Sequence, residues 1–573
     1  MKKMKGTMMK NRTKIGGITA VVAALALTAC GGGGASTTAE SAKAQDASGD
    51  LSKLVSVNAK QAGDLKQGGT VTLPLGNIGP DFNGFSNAGN SADNTELHYP
   101  IDEAGYVGCW KLDFAGTASL NKNFCEDFKS EIKNGKQTIT IKINPKAAYN
   151  NGTPINASTF ENTWKMLNGK NKDIDIVTSG AYEFIDSVKA GSSDKEVVVT
   201  TTQPVYPLSD IFGGFIPQAV NTPELFNTGF TGDMHPEWMA GPFKVDKYDS
   251  AAKTVSMVPN DKWWGDKPVL DKVVFRQLEA SAEIAAFKNG EIDMADGRTL
   301  TKYKQLEGTK NSEVRRGQRL FAGGLNLNAL KAPLTDVAVR KAIFTAVDRP
   351  AIRAVRFGGL NWEENSSGSM MLMPFSKYYQ DNYPVKETGA DAAKKVLTDA
   401  GYTANAKGIM EKNGVPASFK ITNFGDDPTA LATVQTLQKQ LQAAGMEVGI
   451  DQRGDADFGK VVGSRDFQLT ISGYSVGADA TGAVKQYYDS ATNENKLGDA
   501  ELDKAIKDLA SIQDDAQRNK AAMDVEKKHM EKYFSMGVIM NGPQIYFART
   551  GLANYGAALF QTPDWSVVGW QKS

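Results

Sequence analysis

The chain has 573 residues, with 65 Lys and Arg matched by 65 Asp and Glu, and 41% hydrophobic residues. Its 25 Phe, 17 Tyr and 8 Trp can fill large cores, which excludes disorder over the whole length and allows about three or four domains. The lack of a basic surplus argues against a nucleic-acid protein, and 3 Cys with 3 His exclude a multi-zinc or disulfide-framework protein.

Six of the first fourteen residues are basic: Lys2, Lys3, Lys5, Lys10, Arg12 and Lys14. An uncharged apolar run follows over residues 15–27. As a helix it spans about 20 Å, short of a ~30 Å hydrocarbon core, so residues 1–29 read as a secretory signal rather than a permanent span. Leu27-Thr28-Ala29-Cys30-Gly31 resembles the bacterial lipobox, which implies that Cys30 takes a diacylglycerol thioether and becomes the new N-terminus. Cleavage there leaves 59 basic against 65 acidic groups, a formal charge of −6. Residues 31–50 are too polar and Gly-rich to build a core, so residues 30–65 are expected to form the lipidated Cys and a flexible tether. The body is therefore expected to be extracytoplasmic, held to the outer face of a bacterial cytoplasmic membrane by two acyl chains on Cys30.

Further along, residues 69–75 read as a strand that leads into a Gly- and Asn-rich stretch, 76–94, with the character of a loop that lines something. In an oxidising compartment Cys109 and Cys125 favour a disulfide closing a surface loop. Residues 137–143 alternate, with Ile139, Ile141 and Ile143 on one face of a half-buried strand. Ser158 precedes a helix with Phe160, Trp164 and Leu167 on one side. Strands are expected from 241, around Val255 and Met257, and over 273–275, followed by a helix over 282–288 that Asn289-Gly290 stops. Helical spacing recurs over 393–400, 434–441 and 502–509, with strands at 419–423 and 446–450 between. The body is mixed α/β, with no short-period repeat and no internal low-complexity linker.

An ordered set of segments then carries a resemblance. It comprises Ala240-Gly241-Pro242-Phe243-Lys244-Val245, Pro259-Asn260-Asp261-Lys262-Trp263-Trp264-Gly265, Lys267-Pro268-Val269-Leu270-Asp271, and Lys288-Asn289-Gly290-Glu291-Ile292-Asp293. It continues with Leu325-Asn326-Leu327-Asn328, Ala332-Pro333-Leu334-Thr335-Asp336, Ala346-Val347-Asp348-Arg349 and Thr398-Asp399-Ala400-Gly401-Tyr402. In order and spacing, over about residues 66–550, the chain resembles the extracellular solute-binding proteins of ABC importers, family 5, which include oligopeptide and dipeptide binders. The resemblance implies an α/β, two-lobed, periplasmic-binding-protein-like fold joined by a hinge, with an extra domain inserted in lobe I. Lobe I would take residues 66–110, 239–322 and 545–573, the inserted domain 111–238, and lobe II 323–544. The chain crossings would lie near Ala322-Gly323-Gly324 and Asn541-Gly542-Pro543, where glycine allows large backbone rotations. Asp293 and Arg340 read as capping and ion-pair groups, and Trp263-Trp264 as core packing.

Such a protein needs no covalent chemistry and no cofactor. A solute, a peptide first of all, would enter between the lobes and draw them together by its greater affinity for the closed state. The partners implied are that solute, the transmembrane subunits of an ABC permease, and the membrane through the lipid anchor; nucleic acid is not among them, and a monomer is expected. By position, the resemblance puts Ser91, Asp93 and Asn94 in the first-lobe ligand loop, Phe321 facing the cleft, Gly473, Tyr474 and Ser475 beside the ligand backbone, and Asn541 at the second crossing. One departure stands out. Where dipeptide and oligopeptide binders carry an Asp for the peptide ammonium this chain has Gly477, and the next acid is Asp479. Either Asp479 takes that role, or the solute has no amine there and is a sugar, a metal complex or another small molecule. No bound metal is expected, because His98, His235 and His529 are scattered. Two readings of other classes compete. One is a lipoprotein esterase, since Gly473-Tyr474-Ser475-Val476-Gly477 fits G-x-S-x-G; its only later His, His529, sits among Lys527, Lys528 and Lys532 on what reads as a solvated helix face. The other is an adhesion or scaffold protein on the same fold.

Overall fold

The computed structural model describes residues 42–43, 50–454 and 457–572. The signal segment and Cys30 lie outside the described residues. The first sheet is built on Thr70–Leu75, whose inward residues Val71, Leu73 and Leu75 alternate with partly exposed ones. It runs parallel to Lys272–Gln277, with Val71 opposite Val273 and Leu73 opposite Phe275. Thr254–Pro259 and Phe243–Asp249 complete the sheet antiparallel. Phe243, Met257, Phe275 and Trp565 fill the core behind it.

A second sheet orders Cys125–Lys133, Lys136–Ile143, Glu196–Thr201 and Ile185–Ala190, all antiparallel. The helix Ala157–Leu167 packs on it. This helix starts two residues before the position suggested by Ser158, because Asn156 keeps an extended backbone and forms a capping box with Thr159. Phe124, Phe160, Phe212, Phe215 and Trp263 make the core, so Trp263 is a packing residue. Cys109 and Cys125 are joined, with Cα atoms 5.1 Å apart, and both are fully buried. The link thus pins the core of this layer rather than closing a surface loop.

The third body is a five-stranded sheet in the order Glu447–Arg453, Ser418–Phe424, Leu469–Ser475, Phe321–Leu327 and Met536–Met540. The first three strands are parallel, and Phe321–Leu327 is antiparallel to both its neighbours. Residues of Val337–Ala346, Ala390–Asp399 and Pro428–Ala443 form one apolar cluster with it. Residues of Thr481–Tyr488, Ala500–Asp508 and Asp515–Tyr533 form another, together with the fully buried run Met370, Met371, Leu372 and Met373. Arg340 donates to the carbonyls of Leu334, Thr335 and Tyr533, and Asp293 accepts from the Thr72 amide at 2.7 Å. Both are fasteners of the fold.

The chain enters and leaves the third body side by side. Ser312–Gln318 pairs with Pro543–Arg549, and two residues on from each strand Phe321–Leu327 pairs with Met536–Met540. Gln318 Nε2 and the Arg319 amide donate to Gly542 O at 2.9 and 3.2 Å, and Asn541 Nδ2 donates to Phe321 O at 2.7 Å. The first crossing is therefore at residues 319–320, ahead of the expected Ala322-Gly323-Gly324. Those glycines lie inside an unbroken strand, where they permit close approach: a Cβ on Gly324 would sit 2.2 Å from Gly537 O. Gly542, at φ 84°, supplies the turn at the second crossing.

The C-terminal part of the expected tether belongs to the body. Leu54 and Leu65 are buried, Ser56 bridges to Ala557, and Leu65 pairs with Gln571. The apolar side chains in this part give it something to bury. Among the described residues no helix is long and apolar enough to cross a membrane.

Candidate functional site

In open α/β sheets, ligands gather outside the carboxyl ends of the parallel strands. Here two such ends carry charged groups that act on one another. In the first sheet, Leu75 gives way to Gly76 and Asn77, whose amides hold the Asp93 carboxylate; its burial nonetheless raises the Asp93 pKa. Next to it, the short strand Met294–Asp296 ends in an ionic cluster. Arg298 Nε lies 2.7 Å and Lys302 Nζ 2.9 Å from the Asp296 carboxylate. Burial alone would raise the Asp296 pKa, but Arg298 and Lys302 outweigh it and hold the carboxyl below its usual range. Glu283 closes the cluster by accepting the Asp296 amide at 2.6 Å.

Arg319 occupies the first crossing, with its guanidinium 3.9 Å above the Phe321 ring centroid. Burial, and next the charge of Arg298, pull its pKa down to about 9; Arg356 adds to the repulsion. Arg356 sits on the helix Arg349–Phe357 of the five-stranded body. Its pKa is lowered by burial, with Asp427 opposing and Arg298 reinforcing the shift. Asp427 follows the carboxyl end of Ser418–Phe424 and caps the helix Pro428–Ala443 by accepting the Ala430 amide at 2.8 Å. Arg298, just past Met294–Asp296, and Asp427, just past Ser418–Phe424, thus follow strands of different sheets.

The residues singled out by sequence fall in several places. Ser91 caps the helix Ala92–His98, accepting from the Asn94 amide. Asn94 is buried and fastens the preceding loop through Gly89 O at 2.9 Å. Asp93 alone of these three stands by the Arg298 cluster. Phe321 pairs with Ser475, Ala322 with Tyr474 and Gly323 with Gly473. Phe321 therefore shares a face with both glycines, and its ring occupies the space a Cβ on either would need. Tyr474, on the opposite face, donates to Glu494 at 2.9 Å and packs on Tyr487. Ser475 is exposed at the strand end. Asp479 is occupied by its own lobe: Asn519 Nδ2 at 2.8 Å, Arg518 Nη2 at 3.2 Å and the Thr481 amide at 2.8 Å. Asn541, besides holding Phe321 O, donates its amide to Glu364, as does Gly542.

His529 is 1% exposed, which corrects the solvated-face reading. Its helix turns the lysines outward and this ring inward, against Tyr488 and Tyr533, with Nε2 3.1 Å from Leu497 O. His98 is bound to Asn94 O and His235 to Glu237. Among the described residues no group of three or more His, Cys, Asp or Glu is placed to hold a metal. Sequence reasoning missed Arg298, Arg319 and Arg356. The available signal was isolated arginines just past strand ends or beside glycine: Asp296-Gly297-Arg298, Arg319-Leu320-Phe321 and Arg356-Phe357-Gly358.

The family model for bacterial extracellular solute-binding proteins, family 5, matches residues 125–496. The chain belongs to that family of extracytoplasmic solute binders. It is 26% identical over 564 residues to the oligopeptide-binding protein OppA of Mycobacterium tuberculosis, covering 97% of this chain and 93% of that one. Its fold is similar to the periplasmic EDTA-binding protein EppA, with a TM-score of 0.81 at 20% identity over 92% of this chain and 100% of that one. It is also similar to the oligopeptide-binding protein AppA of Bacillus subtilis in complex with a nonapeptide, with a TM-score of 0.71 at 20% identity over 89% and 100%. The fold is the two-lobed α/β fold of this family.

Proposed function

We propose that this protein is the solute-capturing component of an ABC importer, taking a peptide into the cleft between its lobes and handing it to the permease. The observation that carries the reading is the pair of adjacent crossings at residues 319–320 and 541–542, with charged groups from both sheets meeting beside them. The near full-length likeness to an oligopeptide-binding protein favours a peptide. In this reading residues 66–110, 239–318 and 543–573 form lobe I, 111–238 its inserted domain and 321–540 lobe II, with 319–320 and 541–542 crossing between them. Ser91, Asp93, Phe321, Gly473, Tyr474, Ser475 and Asn541 border or shape the cleft, and Asp479 is a second-lobe group near its mouth. The same reading gives the protein a signal peptide, a lipid on Cys30, a place on the outer face of the cytoplasmic membrane, and a monomeric, non-enzymatic mode of action.

Closure would follow from contacts that a solute makes with both lobes at once, since a ligand indifferent to the two states shifts nothing. The test is small-angle scattering and thermal melting of solute-stripped protein with a peptide library. A bound peptide should compact the particle and raise Tm through linkage. Superimposable scattering and unmoved melting across peptides, with a response to oligosaccharides instead, would overturn the peptide reading.

A further inference from the structure

The cationic groups at the crossing differ in what they are paired with. Arg298 and Lys302 are bound to Asp296. Asp93 is held by the Gly76 and Asn77 amides, and Asp427 is engaged as a helix cap. Arg319 and Arg356 are half-buried, yet among the described residues neither guanidinium makes an ion pair or a side-chain hydrogen bond. They are also neighbours. The Arg319 amide is bonded to Gly542 O, the Phe357 ring stands 3.0 Å from where a Cβ on Gly542 would be, and Arg356 precedes Phe357 on its helix. Leu300 makes the same kind of approach to Gly359, which ties the Arg298 loop to the end of that helix.

Two like charges brought together where water is partly excluded repel one another, and an anion that joins them is favoured. A guanidinium is a rigid fork that matches a carboxylate with two parallel N–H···O bonds, and two forks can take two carboxylates. The Phe321 ring under Arg319 fixes the plane of one fork.

We propose that the cleft is built for a solute with at least two carboxylates, gripped at the hinge end by Arg319 of the crossing and Arg356 of the second lobe. This deepens the solute-binding reading and rests on it. Because Arg319 belongs to the crossing and Arg356 to the second lobe beside it, an anion held by both also ties the second lobe to the crossing. An acidic peptide and a free polycarboxylate chelator share this chemistry. A basic peptide would add to the repulsion.

The test is calorimetry on solute-stripped full-length body, wild type and R319Q/R356Q, with triglutamate, trialanine, trilysine and metal-free EDTA as probes. Triglutamate or EDTA should bind at least about tenfold more tightly than trialanine, weaken as salt rises, and lose about 10- to 100-fold in the double variant. Tight triglutamate binding identifies the acidic peptide as the source. Binding of EDTA with no peptide binding supports the anion site and overturns the peptide part of the proposed function. Equal binding of trialanine, trilysine and triglutamate, unchanged in R319Q/R356Q, overturns the anion site and leaves the peptide reading standing. Melting of the unliganded single variants R319Q and R356Q gives a separate readout. Each should melt above wild type because the repulsion is relieved, and a fall in Tm would count against an uncompensated pair.

Discussion

Lys485 Nζ lies 2.9 Å from Glu183 Oε1, an ion pair between the five-stranded body and the four-stranded layer. Close by in the fold, the Tyr206 amide donates to Ala510 O at 3.0 Å, so the two surfaces touch through backbone as well as charge. Both ionic side chains keep about a third of their surface in water, at 38% and 33%. An ion pair that wet contributes about 0–1 kcal/mol. Glu183→Gln should therefore leave Tm within about 2 °C of wild type and weaken solute affinity by no more than about fivefold. A larger loss of affinity in titration calorimetry would mean that this contact does more than join the two surfaces.

Asp479 offers a sharper test of ligand chemistry. Its carboxylate is committed to Arg518, Asn519 and Thr481, and Arg518 is fully buried. Without Asp479 the Arg518 guanidinium keeps Asp515 at 2.6 Å, but Asn519 loses an acceptor and the buried pair is thinned, at a cost of about 1–3 kcal/mol. Asp479→Ala should thus lower the stability of unliganded protein in urea unfolding, and N-acetylation of a bound peptide should leave affinity unchanged. If acetylation abolishes binding, Asp479 or another acid is receiving the ammonium.

The disulfide should matter for stability rather than for capture. Its two cysteines are 16 residues apart, which corresponds to about 3 kcal/mol in the chain-entropy description. Replacing both Cys109 and Cys125 with Ala should lower Tm measurably, while solute affinity at 20 °C below the new Tm stays the same.

Stability should respond to pH from both sides. His98 and His529 are buried and pushed down to about 4 from 6.5. A histidine whose pKa falls on folding stabilises the native state above 6.5 and loses that contribution as pH drops toward about 4. Asp102 behaves oppositely: burial pushes it up to about 7, so its contribution is complete below 3.8 and is lost as pH rises to about 7. Melting across this range should show His529→Gln flattening the acid limb. Asp102→Asn, which can still accept the Gly105 amide, should flatten the loss toward neutral pH.

A Cβ on Gly473 would come within 2.2 Å of Ala322 O and 2.6 Å of the Phe321 ring. Gly473→Ala must part the central strands or expel that ring. The expected cost is about 1–3 kcal/mol by denaturant unfolding, together with a loss of solute affinity. A fully stable variant with normal affinity would remove Phe321 and Gly473 from the cleft.

Alternation and helical spacing were readable locally. The strands Thr70–Leu75 and Lys136–Ile143 and the helices Pro428–Ala443 and Ala500–Asp508 stand where their apolar periods place them. Such patterns record which side of an element meets a core, and that preference is carried by each segment's own residues. The ordered motifs likewise led to the family without any knowledge of contacts. Partner choice could not be read this way. Asp479 and Asn94 looked like free cleft polars, but their lobes had already claimed them, and His529 looked solvated until its helix was rotated against Tyr488. Arg298, Arg319 and Arg356 are spread over some sixty residues and mean little one at a time. Their charges acquire a purpose where two strand crossings and a helix end bring them together, because electrostatic pairing depends on distance through space and on how much water has been removed, and neither is written along the chain.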